Sequence, residues 1–131
     1  MQVEIFTLCD AATAEGGKLN VLGAFDTIWA KAIPAVHPQC ALAMRLRFDR
    51  FEGNVHDILV HFIDFDGKHV LEPVSGKINV AFDEGQESSS ALLVLNIHML
   101  KIERYGIYSL NLQINGRQAA AIPLFIRNPA A

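Results

Sequence analysis

The sequence predicts an all-β fold, an antiparallel two-sheet sandwich of immunoglobulin-like type with seven to nine strands. Three observations predict it. Apolar residues recur with period two rather than with helical spacing. Short alternating runs are separated by glycine, proline and Asn-Gly or Asp-Gly turn signals. Glycine stands two residues before tyrosine in Gly106-Ile107-Tyr108, at the head of a well-alternating strand, as in the tyrosine corner of immunoglobulin-like domains.

The elements follow in order. Val3, Ile5 and the following Thr-Leu-Cys give a first strand, after which Asp10 is placed to cap one helical turn through AATAE that Gly16 and Gly17 end. KLNVLGAF is a second strand, and Gly23 inside it signals a bulge or bend. The segment DTIWAKAIPAVHPQC carries Pro34 and Pro38 and reads as chain that leaves one sheet and crosses over. In ALAMRLRF, Met44, Leu46 and Phe48 share one face and Arg45 and Arg47 the other; in GKINVAF, Ile78, Val80 and Phe82 oppose Lys77 and Asn79. Both are half-buried strands. DEGQESSS reads as a mobile, solvated connection. LLVLNIHML is apolar on both faces. IYSLNLQI alternates Tyr108, Leu110, Leu112 and Ile114 with Ser109, Asn111 and Gln113, and Asn115-Gly116 then marks a hairpin. In the last strand, RQAAAIPLFI, Pro123 lacks the amide proton of a central strand, which predicts an edge. Tyr108 is expected either to bond a carbonyl across the corner or to be simply a buried strand tyrosine.

At 131 residues with 51% apolar and 19% charged side chains, the chain is long enough for one core, and a single domain over residues 1–131 is expected. A net charge of −3 is too small to attract nucleic acid or an anionic membrane by field alone. No uninterrupted apolar run reaches the ~18 residues of a membrane helix, and no secretory leader is read at the N-terminus, so a soluble, cytoplasmic protein is expected. Cys9 and Cys40 show no metal or redox spacing and read as small buried thiols rather than a disulfide.

One stretch concentrates chemistry: His56 to His69, HDILVHFIDFDGKH, holds three histidines and three aspartates in fourteen positions. On a strand, residues of equal parity share a face, so His61 and Asp64 point apart, while His56 and Asp64 share a face but lie roughly 26 Å apart. First-shell metal ligands must all lie ~2 Å from one ion, so no chelate forms within the strand. A two-residue Asp66-Gly67 turn pairs Asp64 with His69, Ile63 with Val70 and His61 with Glu72 across a hairpin. His61, Asp64, His69 and Glu72 are therefore the weak metal or acid-base candidates, and ordinary cross-strand pairs are the preferred reading. No bound cofactor is expected. The face that carries His61 raises a different point. Leu59, Ile63, Phe65 and Val70 form a second apolar stripe that a two-layer protein leaves wet, which predicts cover by a crossover segment such as the one bearing Trp29, or by another subunit.

Other motifs fail. Gly17-Lys18 is followed by Leu19 and lacks the earlier glycine of a phosphate loop; there is no nucleophile elbow and no zinc spacing. Asp64-x-Asp66 could offer oxygens to calcium at a loop, but an ion that takes six or more finds only Asp57, Glu72 and Asp83 or Glu84 as further donors. Carbohydrate binding has only Trp29 and Tyr105 as good exposed aromatics.

FTLCDAA, GKLNVLGAFDTI, HPQCALAMRLRF and the segment from Gly106 to Ile126 with its IPLFI ending together resemble a family of small uncharacterised bacterial proteins grouped as a domain of unknown function. The resemblance covers nearly the whole chain. It implies a bacterial cytoplasmic setting and one compact domain, and it carries over no catalytic residue. The expected function is a non-enzymatic sandwich that self-associates and binds an unidentified protein or small ligand. The alternative is a metal-dependent binder or enzyme built on the 61–72 hairpin.

Overall fold

A computed structural model describes residues 1–130. Among them are nine strands: β1 (Gln2–Glu15), β2 (Lys18–Phe25), β3 (Thr27–Trp29), β4 (Ala35–Asp49), β5 (Val55–Ile63), β6 (Val74–Asn79), β7 (Ser88–Ile102), β8 (Gly106–Ile114) and β9 (Arg117–Arg127). They form two sheets, ordered β2-β1-β4-β7 (sheet A) and β3-β9-β8-β5-β6 (sheet B). In immunoglobulin terms β1, β4 and β7 stand at positions A, B and E, and β6, β5, β8 and β9 at C′, C, F and G. The sandwich is as the alternation predicts.

The core lies between the sheets. Leu42, Met44, Leu46 and Phe48 from β4 meet Val60 and Phe62 from β5, Ile78 from β6, and Tyr108, Leu110, Leu112 and Ile114 from β8. The Tyr108 hydroxyl donates to the Arg104 carbonyl at 2.7 Å, so the tyrosine corner is present. The Cys40–Met44 run is buried throughout. Its inward side chains enter the main core. On its other side Ala41, Ala43 and Cys9 form a second cluster with Ala12 and Leu19 from the β1-β2 hairpin and Val94 from β7. The hairpin therefore closes over sheet A at this point, and β4 reads as a continuous apolar run because both its faces are covered.

Three local expectations change. AATAE is not helical: β1 continues to Glu15, which pairs with Lys18, and Gly16 and Gly17, at φ 56° and 72°, supply the two positive-φ residues of a hairpin turn. Strand period wins here because β2 is available to pair at once. Asp10 instead faces Gly23, where any Cβ would stand 2.4 Å from the Asp10 carboxylate. The DEGQESSS connection is pinned rather than loose: Arg50 donates to the carbonyls of Gln86 and Asp83 and lies over the Phe82 ring.

The crossover is as expected, with β3 joining sheet B alongside β9 before β4 returns to sheet A. Pro123 sits where β9 has only β8 beside it, because β3 pairs no earlier than Phe125. Cys9 and Cys40 are both free and buried. They belong to clusters on opposite faces of sheet A, and burial pushes the Cys40 thiol up to about 11. No helix of the described residues is long and apolar enough to cross a membrane.

Candidate functional site

The 61–72 hairpin closes with a loop one residue longer than the two-residue Asp66-Gly67 turn, which shifts its register by one. The Asp64 amide donates to the Lys68 carbonyl and the Val70 amide to the Phe62 carbonyl, and Ile63 bridges His69. Phe65, Asp66 and Gly67 thus form a three-residue loop, with Gly67 at φ 82° in the left-handed position such loops require. Asp64 favours the longer loop: its Oδ1 accepts the amides of Asp66 and Lys68 at 2.9 and 3.0 Å, a local side-chain turn that competes with the ladder.

The register change redistributes the candidates. His61 and His69 now share the outer face, with ring centroids 5.3 Å apart. Asp64 is held elsewhere, because Arg104 donates to both Asp64 and Asp66 at 2.9 Å. Partial burial raises the Asp64 carboxyl, but the Lys68 and Asp66 amides and then Arg104 outweigh it, and the group sits below its usual range. Glu72 is exposed and does not pair with His61. Among the described residues no group of three or more His, Cys, Asp or Glu is placed to hold a metal ion.

The apolar stripe also changes. Val70 turns inward against the core. Phe65 is exposed at the loop tip, but Arg104 stacks on its ring at 4.3 Å and Tyr108 meets it edge-on. Leu59 and Ile63 remain on the outer face of sheet B, where parity and register add a group the sequence reading missed. Ile63 lies opposite Ser109, Ser109 opposite Pro123, and Ile107 opposite Phe125; β3 brings Thr27 beside Phe125 and Trp29 beside Arg127. Trp29 is 61% and Ile107 57% exposed. The Arg127 guanidinium covers Phe125 at 4.7 Å. Trp29, Tyr105, Arg127 and Asn128 line an open hollow of about 390 Å³, and the Tyr105 hydroxyl is fixed by the Ala30 carbonyl at 2.7 Å. Farther along the same face the surface is polar. Asn111 accepts from Ser109 and Gln118, and Asp57 pairs with Lys77 at 2.8 Å.

The odd parity of Ile107 with Ser109, Asn111 and Gln113 was readable from the sequence. The Trp29 segment was expected as a cover for the stripe; instead it extends the same sheet at its edge, through three rungs of parallel pairing between β3 and β9.

His56, the remaining histidine of the 56–69 stretch, is not available for chemistry. It is 2% exposed, stacked on Phe48 at 4.0 Å, with Nε2 against the Gly53 carbonyl and Nδ1 against the Asn115 side-chain amide, both at 3.0 Å. A ring donating from Nε2 and accepting at Nδ1 satisfies both contacts. It is a polar core residue.

Comparison with known proteins gives the following. The model of a family described as "Family of unknown function (DUF6941)" matches residues 4–127. No curated protein matches the chain. Among solved structures, the chain resembles the Pseudomonas fluorescens alkylpurine DNA glycosylase AlkC bound to DNA containing an abasic site analog, at 9% identity and a TM-score of 0.45 over 96% of this chain. The chain spans 30% of that protein's length.

Proposed function

We propose, from the premise that the chain belongs to the DUF6941 family of unknown function, that it is a non-enzymatic interaction module. In this reading it self-associates and offers the outer face of sheet B to a protein or small ligand. One observation carries the reading: Trp29, Phe125, Ile107, Pro123 and Ile63 form an aromatic and apolar surface beside the polar Ser109, Asn111 and His61. Contiguous apolar surface of this kind is uncommon on a free monomer and marks interaction sites. Aromatic residues with arginine nearby are the typical anchors of such interfaces. The setting we propose is the bacterial cytoplasm, as the family resemblance implies. Nucleic acid and membrane are not the proposed partners, since the net charge is −3.

Sedimentation velocity over a wide concentration range tests self-association, with a rising weight-average coefficient expected. A monomer throughout removes that half of the reading. Trp29 is the only tryptophan, so its emission reports on the face directly. A ligand or partner that covers the face shifts the emission to the blue, and Ile107→Asp abolishes that shift; a blue shift that survives Ile107→Asp overturns the assignment of the face.

A further inference from the structure

The edge strand β7 answers where a second copy of the chain attaches. Four strands border the two sheets: β2, β3, β6 and β7. Three are blunted in the ways edges usually are. β3 has three residues, β6 is six residues long with Gly76 and Lys77 inside it, and β2 bends at Gly23, φ 69°. β7 is different. It runs for 15 residues and pairs on one side only, with β4. From Ser88 to Ile97 it holds no charged residue, no proline and no glycine. Ala91, Leu92, Leu93, Val94 and Leu95 are all part-exposed, so both faces of the strand lack full cover. On the core side the sandwich stays open between β7 and β6, where Leu93 and Leu95 line an apolar slot of about 170 Å³ with Val60, Val74 and Ile78.

We infer that β7 pairs antiparallel with β7 of a second copy, joining the two A sheets into one continuous sheet with a two-fold axis through Leu93. This rests on the self-association read above and gives it a site. The occupant follows from charge and register. An uncharged strand set against itself brings no like charges opposite each other, whereas a charged partner strand would find no counterpart. Directly opposite residues in an antiparallel pair share a face, so odd numbers must meet odd numbers. The straight run ends at Met99, whose φ of 54° kinks the strand where Pro38 and Met99 drop out of the β4 ladder. Pairing the whole run from Ser88 to His98 against itself centres the register on Leu93. Leu93 then meets its own copy, Ala91 meets Leu95, and Leu92 meets Val94. Such a ladder is roughly 36 Å long and about 10 Å deep, or roughly 360 Å² per copy. That is about half the ~800 Å² a partner buries in a stable complex. The dimer is therefore a weak, reversible one, favoured at high protein concentration.

A cysteine at the axis tests it. Directly opposed Cα atoms in an antiparallel pair stand about 4.5 or 5.5 Å apart, within disulfide range, whereas diagonal neighbours stand about 7 to 8 Å apart. Leu93→Cys is expected to give a reducible covalent dimer under mild oxidation and Leu92→Cys at least tenfold less, against a low background from the buried Cys9 and Cys40. Trp29 emission should not change on dimerisation, because β3 lies at the far edge of the other sheet. Sedimentation showing a dimer whose Leu93→Cys variant does not cross-link overturns the β7 pairing and leaves self-association standing. A wild-type protein that stays monomeric overturns both. If Leu93→Cys does not fold, amide exchange of the wild type decides: β7 amides must gain protection as concentration rises, and unchanged protection refutes the pairing.

Discussion

The two ends of the β7 story are built in opposite ways. Where β7 hands over to β8, the chain is tied down. Arg104 bonds Asp64 and Asp66, stacks on Phe65 and receives the Tyr108 hydroxyl on its own carbonyl. Tyr105 fastens the same turn to Ala30. Where β7 runs beside β6, nothing closes the sandwich, and the core leucines lie half in solvent. The lesson concerns location. Polar side chains fix one end of this fold to a single geometry, while apolar residues at the open side stay part-exposed.

The largest difference to measure between the two regions is in core truncations. Leu112 is fully buried, so Leu112→Ala should cost about 3 to 4 kcal/mol in urea unfolding. Leu93→Ala, at the open side, should cost about half of that in dilute protein, and equal costs would mean the slot is closed in solution. Next comes Gly106, at φ 143°, where a Cβ would stand 2.8 Å from the Phe65 ring. Gly106→Ala adds backbone strain to a clash and should cost on the order of 3 kcal/mol. Phe65→Ala in the same chain should recover the clash part, as a double-mutant cycle would show. Tyr108→Phe removes the corner hydrogen bond alone and should cost about 1 kcal/mol.

The smallest effect is on pH. The Asp64 carboxyl sits below its usual range in the folded state, so its contribution is present above the unfolded value of about 3.9 and is lost as pH falls through the folded one. Asp64→Asn should lower stability slightly at pH 7 and flatten the acid limb of the stability profile below about pH 4. An unchanged acid limb would show that the clip does not couple to folding.

How far the sequence reached is clearest on β8. Its alternation, its Asn115-Gly116 turn and its corner tyrosine are all local signals, and each is found where the residues place it. The 61–72 hairpin was legible as a hairpin but not in register, because the deciding acceptor was Asp64 itself: an aspartate that bonds its own turn cannot be told from one on a ladder by parity. AATAE failed for the related reason that a short polar-alanine run suits helix or strand, and its partner β2 decides. The outer face of sheet B was half legible. Leu59 and Ile63 follow from alternation within β5; Trp29, Phe125 and Ile107 come together through pairings distant in sequence, which no local pattern encodes.

β4 has a further consequence. From Ala41 to Met44 it has β1 and β7 on its flanks and the main core beneath, and the β1-β2 hairpin covers Ala41 and Ala43 from above, so solvent has little approach to these four peptide groups. Their exchange with deuterium has to wait for the whole molecule to come apart. The slowest of those four amides therefore reads the free energy of the molecule's global unfolding without any denaturant.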